Sequence, residues 1–79
     1  MLNCWNNHLS ALDVSKNTAL TKLECSGNQL SAAALDRIFT DLPNRSGMEA
    51  GEIFIINNPG TETCNRSIAT AKNWNIIDE

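Results

Sequence analysis

Cysteine, histidine and acidic side chains are the residues of this 79-residue chain that could support catalysis or bind a metal. Nucleophilic catalysis needs a serine or cysteine beside a base, and His8 is the only histidine available for that role. Zinc sites usually contain closely spaced cysteine or histidine pairs, and the sequence has no C-x-x-C. Glu49 and the terminal Asp78 and Glu79 form no paired-carboxylate pattern. The sequence therefore predicts a protein that is not an enzyme and uses no metal or cofactor.

A repeat positions the side chains of the N-terminal half. Positions 2–11 read LNCWNNHLSA and positions 23–32 read LECSGNQLSA, and most letters of the two stretches are identical. A fixed period of about 20–30 residues on the template L-x-x-L-x-L-x-x-N-x-L is typical of leucine-rich repeats. The segment LTKLECSGNQL fills each position of this template with Leu20, Leu23, Cys25, Asn28 and Leu30.

The template has a physical basis in the geometry of a short strand. Alternate side chains of a strand point to the same face, which predicts that Leu23 and Cys25 point inward and that Glu24 and Ser26 point outward. An offset copy of the template, LSALDVSKN at positions 9–17, divides each coil into two half-turns of nearly equal length.

Asparagines recur at the bend that follows each predicted strand. We expect the side-chain amide of Asn28 to bind backbone groups of the neighbouring coil, with Asn7 and Asn58 at equivalent positions in a ladder. Ordinary turn chemistry is the alternative interpretation of these residues. Their regular spacing favours the ladder.

The C-terminal half fits the same template with altered spacing. Ile53 and Ile55 take the positions of Leu23 and Cys25 after a longer interval. In the segment NWNIID, Trp74 and Ile76 take the same positions after the original interval. We therefore expect one parallel sheet with core strands near 2–4, 23–25, 53–55 and 74–76. Its predicted inward row consists of Leu2, Leu23, Ile53 and Trp74.

Two helices are predicted between the later strands, each with a right-handed crossover. Residues 32–42 form the longer helix, with Ser31 as its N-cap and Pro43 just past its end. Its apolar face follows an i, i+3, i+4, i+7 pattern at Leu35, Ile38, Phe39 and Leu42. The shorter helix, at about 65–72, is expected to bury Ile68 and Ala71 and to direct Arg66 and Lys72 outward.

The pattern LxxLDVSKNTALTxLxCxxNQL resembles bacterial leucine-rich repeats with nested ten-plus-eleven periodicity, which are common in surface proteins of Bacteroides-like organisms. The remainder, from LSAAALDRIF to NWNIID, resembles the terminal unit of such arrays, so the resemblance covers nearly the whole chain. It implies an α/β fold: a leucine-rich repeat right-handed solenoid with a short parallel β-sheet and helices on the opposite side. Residues 1–79 would be one domain, with regular repeats at 1–30 and C-terminal helix-containing repeats or a cap at 31–79.

The resemblance also implies a class of function. Proteins of this kind are generally secreted or surface-anchored binding proteins without catalysis, so we expect a non-enzymatic module that binds a protein or a glycan outside the cell. The alternative is a purely structural cap that shields the core of upstream repeats. Residues 1–9 lack the charged and apolar regions of a signal peptide, and we expect this chain to be a fragment of a longer array. A short complete gene product is the competing interpretation.

Composition limits the partners. The net charge is −3 with scattered signs, and a basic patch for nucleic acid or anionic lipid is absent from the sequence. Its apolar runs are too short for a membrane span, which argues against membrane insertion.

The outward sheet face is the predicted binding surface. Tryptophan is enriched among binding anchors, which makes Trp5 the strongest candidate. An apolar strip of Trp5, Phe54, Ile56 and Ile77 is unusual on a solvated sheet face and can mark an interaction site. Cross-strand stabilisation of the sheet explains the same residues equally well. The predicted ligand-binding residues are Trp5, Lys22, Glu24, Ser26, Glu52, Phe54 and Ile56.

The cysteines are predicted to be reduced structural thiols. Cys4 and Cys25 would stack about 4.8 Å apart on adjacent strands, whereas a disulfide needs Cβ atoms about 3.8 Å apart and a particular torsion. Cys64 is expected to pack inward. The N-x-S sequons at Asn44 and Asn65 could accept glycans in a eukaryotic secretory route, but the bacterial resemblance favours chance occurrence.

Self-association is predicted at the N-terminal end of the coil. The outer edge of the first strand has no preceding coil, and an unpaired edge above an uncovered core attracts another chain. The uncovered side chains would be Leu2, Cys4, Leu9, Leu12 and Val14. We expect a homodimer in which two N-terminal ends meet about a two-fold axis.

Overall fold

The computed structural model describes residues 2–3, 12–15 and 19–78. Four strands form one parallel sheet in which the spatial order follows the chain order. The fold is therefore α/β with a parallel sheet, as predicted. Its elements are β1 (Leu2–Asn3), β2 (Lys22–Glu24), α1 (Ala32–Asp41), β3 (Gly51–Phe54), α2 (Ser67–Thr70) and β4 (Trp74–Ile77).

The central strands follow the repeat template. Leu23 pairs with Leu2 on β1 and with Ile53 on β3. Leu23, Cys25, Ile53 and Ile55 are each 0% exposed, so the predicted inward positions of β2 and β3 are confirmed. The alternation of side chains along a strand accounts for this agreement, because it depends only on local backbone geometry.

The register of β4 corrects the prediction. Trp74 lies opposite Gly51 instead of Ile53, and Ile76 takes the place opposite Ile53. Gly51 explains the shift, because a Cβ atom at that position would lie 2.7 Å from carbon atoms of the Trp74 ring. The large indole therefore pairs with the one residue of β3 that has no side chain. Trp74 remains 1% exposed, and its Nε1 donates a hydrogen bond to the carbonyl oxygen of Pro43 over 2.8 Å.

Helix α1 closely matches its prediction. The Ser31 hydroxyl accepts a hydrogen bond from the Ala34 amide, which confirms the predicted N-cap. Leu35, Ile38 and Phe39 are fully buried, as the helical periodicity requires.

The predicted second helix is too long. Only Ser67–Thr70 are α-helical, and Ala69 is the buried residue, whereas Ile68 is half-buried and Ala71 is exposed. The predicted apolar face was wrong, because it assumed a helix of about two turns and the structure has a single helical turn.

Arg66 and Lys72 are half-buried, against the prediction that both point outward. The Lys72 ammonium donates to the carbonyl oxygens of Thr40 and Leu42 at the C-terminal end of α1. A cation at this end of a helix is favoured because the last carbonyls lack partners within the helix.

Of the two described ladder positions, Asn58 binds backbone groups of the preceding coil as predicted, and Asn28 is likewise buried. The Asn58 Nδ2 donates to the carbonyl oxygens of Ile55 and Cys25, each over 3.0 Å, and its Oδ1 accepts from the Leu30 amide. Asn28 donates to the same Cys25 oxygen, also over 3.0 Å, and to the carbonyl oxygen of Ser26, so these bonds lie within its own turn. The Asn58 contacts join the segments of β2 and β3 through a buried side chain. Asn7 lies outside the described residues.

The N-terminal end of the core is more closed than predicted. Val14 is 0% exposed, and Leu12 is half-buried against the core. The expectation that Val14 is uncovered was therefore wrong, since it joins the same core cluster as Leu23. Leu9, Cys4 and the side chain of Leu2 lie outside what the structure describes. No helix of the described ranges is long and apolar enough to cross a membrane.

Candidate binding surface on the sheet

Successive side chains of a strand point to opposite faces of the sheet, so the residues between the buried positions form rows on the outward face. One outward row places Lys22 opposite Glu52 and Glu52 opposite Asn75. The repeat spacing predicts Asn73 in this row, and the structure places Asn75 there instead. The same shift of β4 that places Trp74 opposite Gly51 also moves this row.

A second outward row places Glu24 opposite Phe54 and Phe54 opposite Ile77. The repeat spacing predicts Ile77 beside Ile56, but the structure places it directly opposite Phe54. Phe54, Ile56 and Ile77 are all half-buried, so the apolar strip is partly accessible. Among the described residues, Met48 is the exposed large hydrophobic side chain.

Lys22 connects the charged and aromatic parts of this face. Its Nζ lies 5.2 Å from the centroid of the Phe54 ring and 4.0 Å from a carboxylate oxygen of Glu52. Both charged side chains are more than 40% exposed, so solvent screens the ion pair and its contribution is small, about 0–1 kcal/mol. The Lys22 ammonium thus lies near both the Phe54 ring and the Glu52 carboxylate and stays accessible to solvent.

Ser26 corrects the predicted set of site residues. It is 4% exposed, and its hydroxyl accepts a hydrogen bond from the Ile56 amide over 3.1 Å. Its own amide donates to the Glu24 carboxylate over 2.9 Å. Ser26 therefore joins adjacent strands and is not available to a ligand. Trp5 lies outside the described residues, and its predicted role stays a prediction.

A cleft of about 250 Å³ opens at the edge of this face. Two cations and two carboxylates contribute to its walls, which gives the lining a net charge of zero. The lining residues are Thr21, Lys22, Arg45, Glu49, Ala50 and Glu52. Sequence reasoning did not identify Arg45 and Glu49, because they belong to a turn-rich segment whose path depends on distant contacts.

The loop that supplies Arg45 is anchored by hydrogen bonds. The Arg45 Nε donates to the carbonyl oxygen of Glu49 over 2.9 Å, and the Arg45 amide donates to the carbonyl oxygen of Lys72 over 2.9 Å. Asn73 Nδ2 donates to the carbonyl oxygens of Arg45 and Met48, each over 3.0 Å. These bonds hold this wall of the cleft close to the start of β4.

A second cleft, of about 260 Å³, separates α1 from the segment around Leu12. Ala34, Arg37 and Asp41 line it on the helix side, and Leu12 and Asp13 line it on the other. Arg37 is paired with Asp41 over 3.3 Å. This cleft borders the N-terminal end at which self-association is predicted.

The described cysteines are reduced thiols in protected surroundings. Cys25 is fully buried, and its Sγ lies 3.2 Å from the carbonyl oxygen of Phe54. Burial raises the pKa of the half-buried Cys64 thiol, although the neighbouring Arg66 guanidinium acts in the opposite direction. A raised thiol pKa disfavours the nucleophilic thiolate. Cys4 and the stacking predicted for it lie outside the described residues.

Metal-binding groups are not assembled in the described part of the chain. No cluster of three or more histidine, cysteine, aspartate or glutamate side chains occurs within it. His8 lies outside this part. The sheet face presents hydrogen-bond donors, acceptors and the half-buried Phe54 ring.

Comparison with known proteins gives no family assignment. No family model matches the chain, and neither a curated protein nor a solved structure matches it.

Proposed function

We propose that this chain is a unit of a leucine-rich repeat solenoid that binds a protein or a glycan through its outward sheet face. The observation that carries the proposal is the accessible Lys22 ammonium, which lies near Phe54 and Glu52 at the mouth of the charged cleft. Binding sites commonly combine an aromatic side chain with a few fixed polar groups. The proposed place of action is the cell surface or the extracellular space, and the proposed origin is a bacterial array.

The repeat architecture supports the solenoid part of the proposal. Parallel strands follow one another in chain order, and Asn58 binds backbone groups of its own coil and of the preceding one. Such contacts between sequence neighbours are what a solenoid uses to stack its coils.

The chemistry of the cleft indicates the type of ligand. Lys22 and Arg45 donate hydrogen bonds, whereas the carboxylates of Glu49 and Glu52 accept them. A lining without net charge favours a polar ligand that is itself uncharged or carries both signs. Sugar hydroxyls and the backbone of an extended peptide both satisfy this condition.

A purely structural cap is the second candidate function. It is favoured by the direct pairing of Phe54 with Ile77 and by the Lys22 ammonium above the Phe54 ring. Cross-strand pairs of this kind stabilise a sheet without any ligand.

Arrays of printed oligosaccharides and of synthetic peptides test the proposal. The fluorescently labelled chain should bind discrete spots, and Lys22→Ala and Glu52→Gln should each reduce the signal at least about tenfold if the lost contacts are worth about 1.4 kcal/mol. Arg37→Ala on α1 is the matched control, since it removes an exposed cation from a different surface. An absence of bound spots, or spots that persist in both sheet variants, would favour the cap.

A further inference from the structure

The outer edge of β4 presents backbone groups that have no strand beside them in the described part of the chain, where β4 pairs with β3 alone. On its other side, the Gly51 amide donates to the carbonyl oxygen of Asn73 over 3.0 Å, and the Ile55 amide donates to that of Ile77 over 2.9 Å. Successive residues of a parallel strand direct their backbone groups to opposite sides. The N–H and C=O groups of Trp74 and Ile76 therefore point away from β3.

The core is incompletely covered beside this edge. Ile76, Ile68 and Cys64 pack against the core cluster but are only half-buried. The equivalent residues of the central strands, Leu23 and Ile53, are fully buried. A strand placed against β4 would thus receive main-chain hydrogen bonds and would cover apolar surface at the same time.

The charge at the C-terminal end of β4 indicates which orientation of a second strand fits. Asp78 follows the strand, whereas the Lys72 ammonium before it is bound to the carbonyl oxygens of Thr40 and Leu42. The Arg66 guanidinium lies 2.8 Å from Asp78 and fixes this carboxylate, whose side chain stays 38% exposed. A second β4 in parallel register would bring the two Asp78 carboxylates side by side, whereas an antiparallel β4 places them at opposite ends of the strand pair. Like charges side by side are disfavoured, so the antiparallel orientation is favoured.

We propose that β4 pairs with β4 of a second copy of this chain, in antiparallel orientation about a two-fold axis at Asn75. Trp74 then lies opposite Ile76 of the second copy, and about four main-chain hydrogen bonds form from the backbone groups that are directed outward. The two sheets become one continuous sheet. A two-fold contact uses the same surface on both copies, so the assembly closes as a dimer.

The side chains fit this register on both faces of the sheet. On the core face, the half-buried Ile76 is covered by the second copy near its Trp74. On the outward face, Asn75 meets Asn75 of the second copy, and these neutral amides can exchange hydrogen bonds without charge repulsion. Asn75 is exposed in the single chain. The contact thus adds no unpaired buried charge.

Cross-linking at the two-fold axis tests the register. Asn75→Cys should form a disulfide-linked dimer under mild oxidation, because the two new thiols face each other at a non-hydrogen-bonded antiparallel position. Lys22→Cys on β2 is the matched control, and the unmodified chain measures the background from its own thiols. If the Asn75→Cys chain forms no more disulfide-linked dimer than these two controls, the proposed register is overturned.

Sedimentation velocity over a concentration series tests the dimer itself. The unmodified chain should change from 8.7 kDa to twice that mass as its concentration rises. Ile76→Pro should abolish this change, because it removes an outward N–H and leaves the β3–β4 hydrogen bonds intact. Asn75→Lys should raise the dissociation constant at least about tenfold, because the two lysines would meet at the two-fold axis.

Thermal unfolding of each variant separates loss of the contact from loss of the fold. A chain that stays monomeric at every concentration would overturn the proposal, as would a dimer that survives Ile76→Pro. A dimer that is lost in Leu12→Lys and retained in the two β4 variants would overturn it in favour of the N-terminal contact.

Discussion

The central part of the molecule (β2, β3 and α1) and its C-terminal end (α2, β4 and the loop at 43–50) are stabilised by different means. In the central part, inward side chains such as Leu23 and Phe39 are completely buried, and Asn58 joins the strands from within. At the C-terminal end, apolar burial is incomplete, and polar side chains bind loop carbonyls instead. Examples are Trp74 with Pro43 and Lys72 with Leu42.

This difference follows the number of neighbours that each strand has in the described sheet. A domain of this size buries only about 60–65% of the surface of its unfolded chain. In the centre, β2 and β3 each have two neighbouring strands, and apolar contacts supply the stability. Among the described strands, β4 has β3 as its one neighbour, and side-chain-to-backbone hydrogen bonds secure its start to the preceding loop. Four predictions test this division.

The largest effect is expected in the central part. Phe39→Ala removes a fully buried ring from α1 and should lower the free energy of unfolding by about 3–5 kcal/mol. In a domain of this size such a loss can abolish folding. Chemical denaturation followed by circular dichroism measures it, with Thr40→Ala at an exposed position of the same helix as the control. A near-unchanged denaturation midpoint would contradict the packing of α1.

The ladder asparagine should have the next largest effect. Asn58→Ala leaves the buried Leu30 amide without its acceptor, and such an unpaired group costs about 1–3 kcal/mol. The carbonyl oxygens of Cys25 and Ile55 each lose one of two donors, since Asn28 and Thr61 still bind them. The neighbouring Asn57 is exposed with a φ of 61°, a backbone conformation that glycine readily adopts. Asn57→Gly should therefore change stability little. If chemical denaturation shows a similar loss of unfolding free energy in both variants, the Asn58 hydrogen bonds do not specifically stabilise the fold.

Gly51→Ala tests the junction between the two parts. The added methyl group would lie 2.7 Å from the Trp74 ring, so the indole must move and the free energy of unfolding should fall by about 1–3 kcal/mol. In a Trp74→Leu background the same substitution should cost less, because the ring is gone. Equal costs in the two backgrounds would mean that Trp74 does not determine the register of β4.

The smallest effect concerns pH at the C-terminal end. Burial raises the pKa of Cys64 above its ordinary value of 9.0, so the folded chain holds this proton more tightly than the unfolded chain does. The resulting stability is present below pH 9 and is lost as the pH rises through the higher folded value. The midpoint temperature of thermal unfolding should therefore fall less steeply above pH 9 for the Cys64→Ser chain than for the parent chain. If the midpoints of both chains fall equally with pH, Cys64 makes no such contribution.

The candidate binding surface on the sheet was only partly predictable. The alternation of strand residues correctly brought Lys22, Glu52 and Phe54 to the outward face. It failed at Ser26, since the chain turns beyond β2 and the hydroxyl bonds to the next strand. Arg45 and its loop could not be predicted, because hydrogen bonds from Asn73, far along the chain, determine where they lie.

The sequence by itself determined the strands, the parallel α/β architecture, the cap and apolar face of α1, and the buried asparagines. These features follow from short-range periodicity and from local hydrogen-bonding capacity, which operate between near neighbours in the chain. Only the tertiary structure decided the register of β4, the extent of α2 and the cleft beside Lys22. Each of these depends on contacts between residues far apart in the chain. The fit of the Trp74 ring over Gly51 is the clearest case, because a spacing rule contains no information about volume.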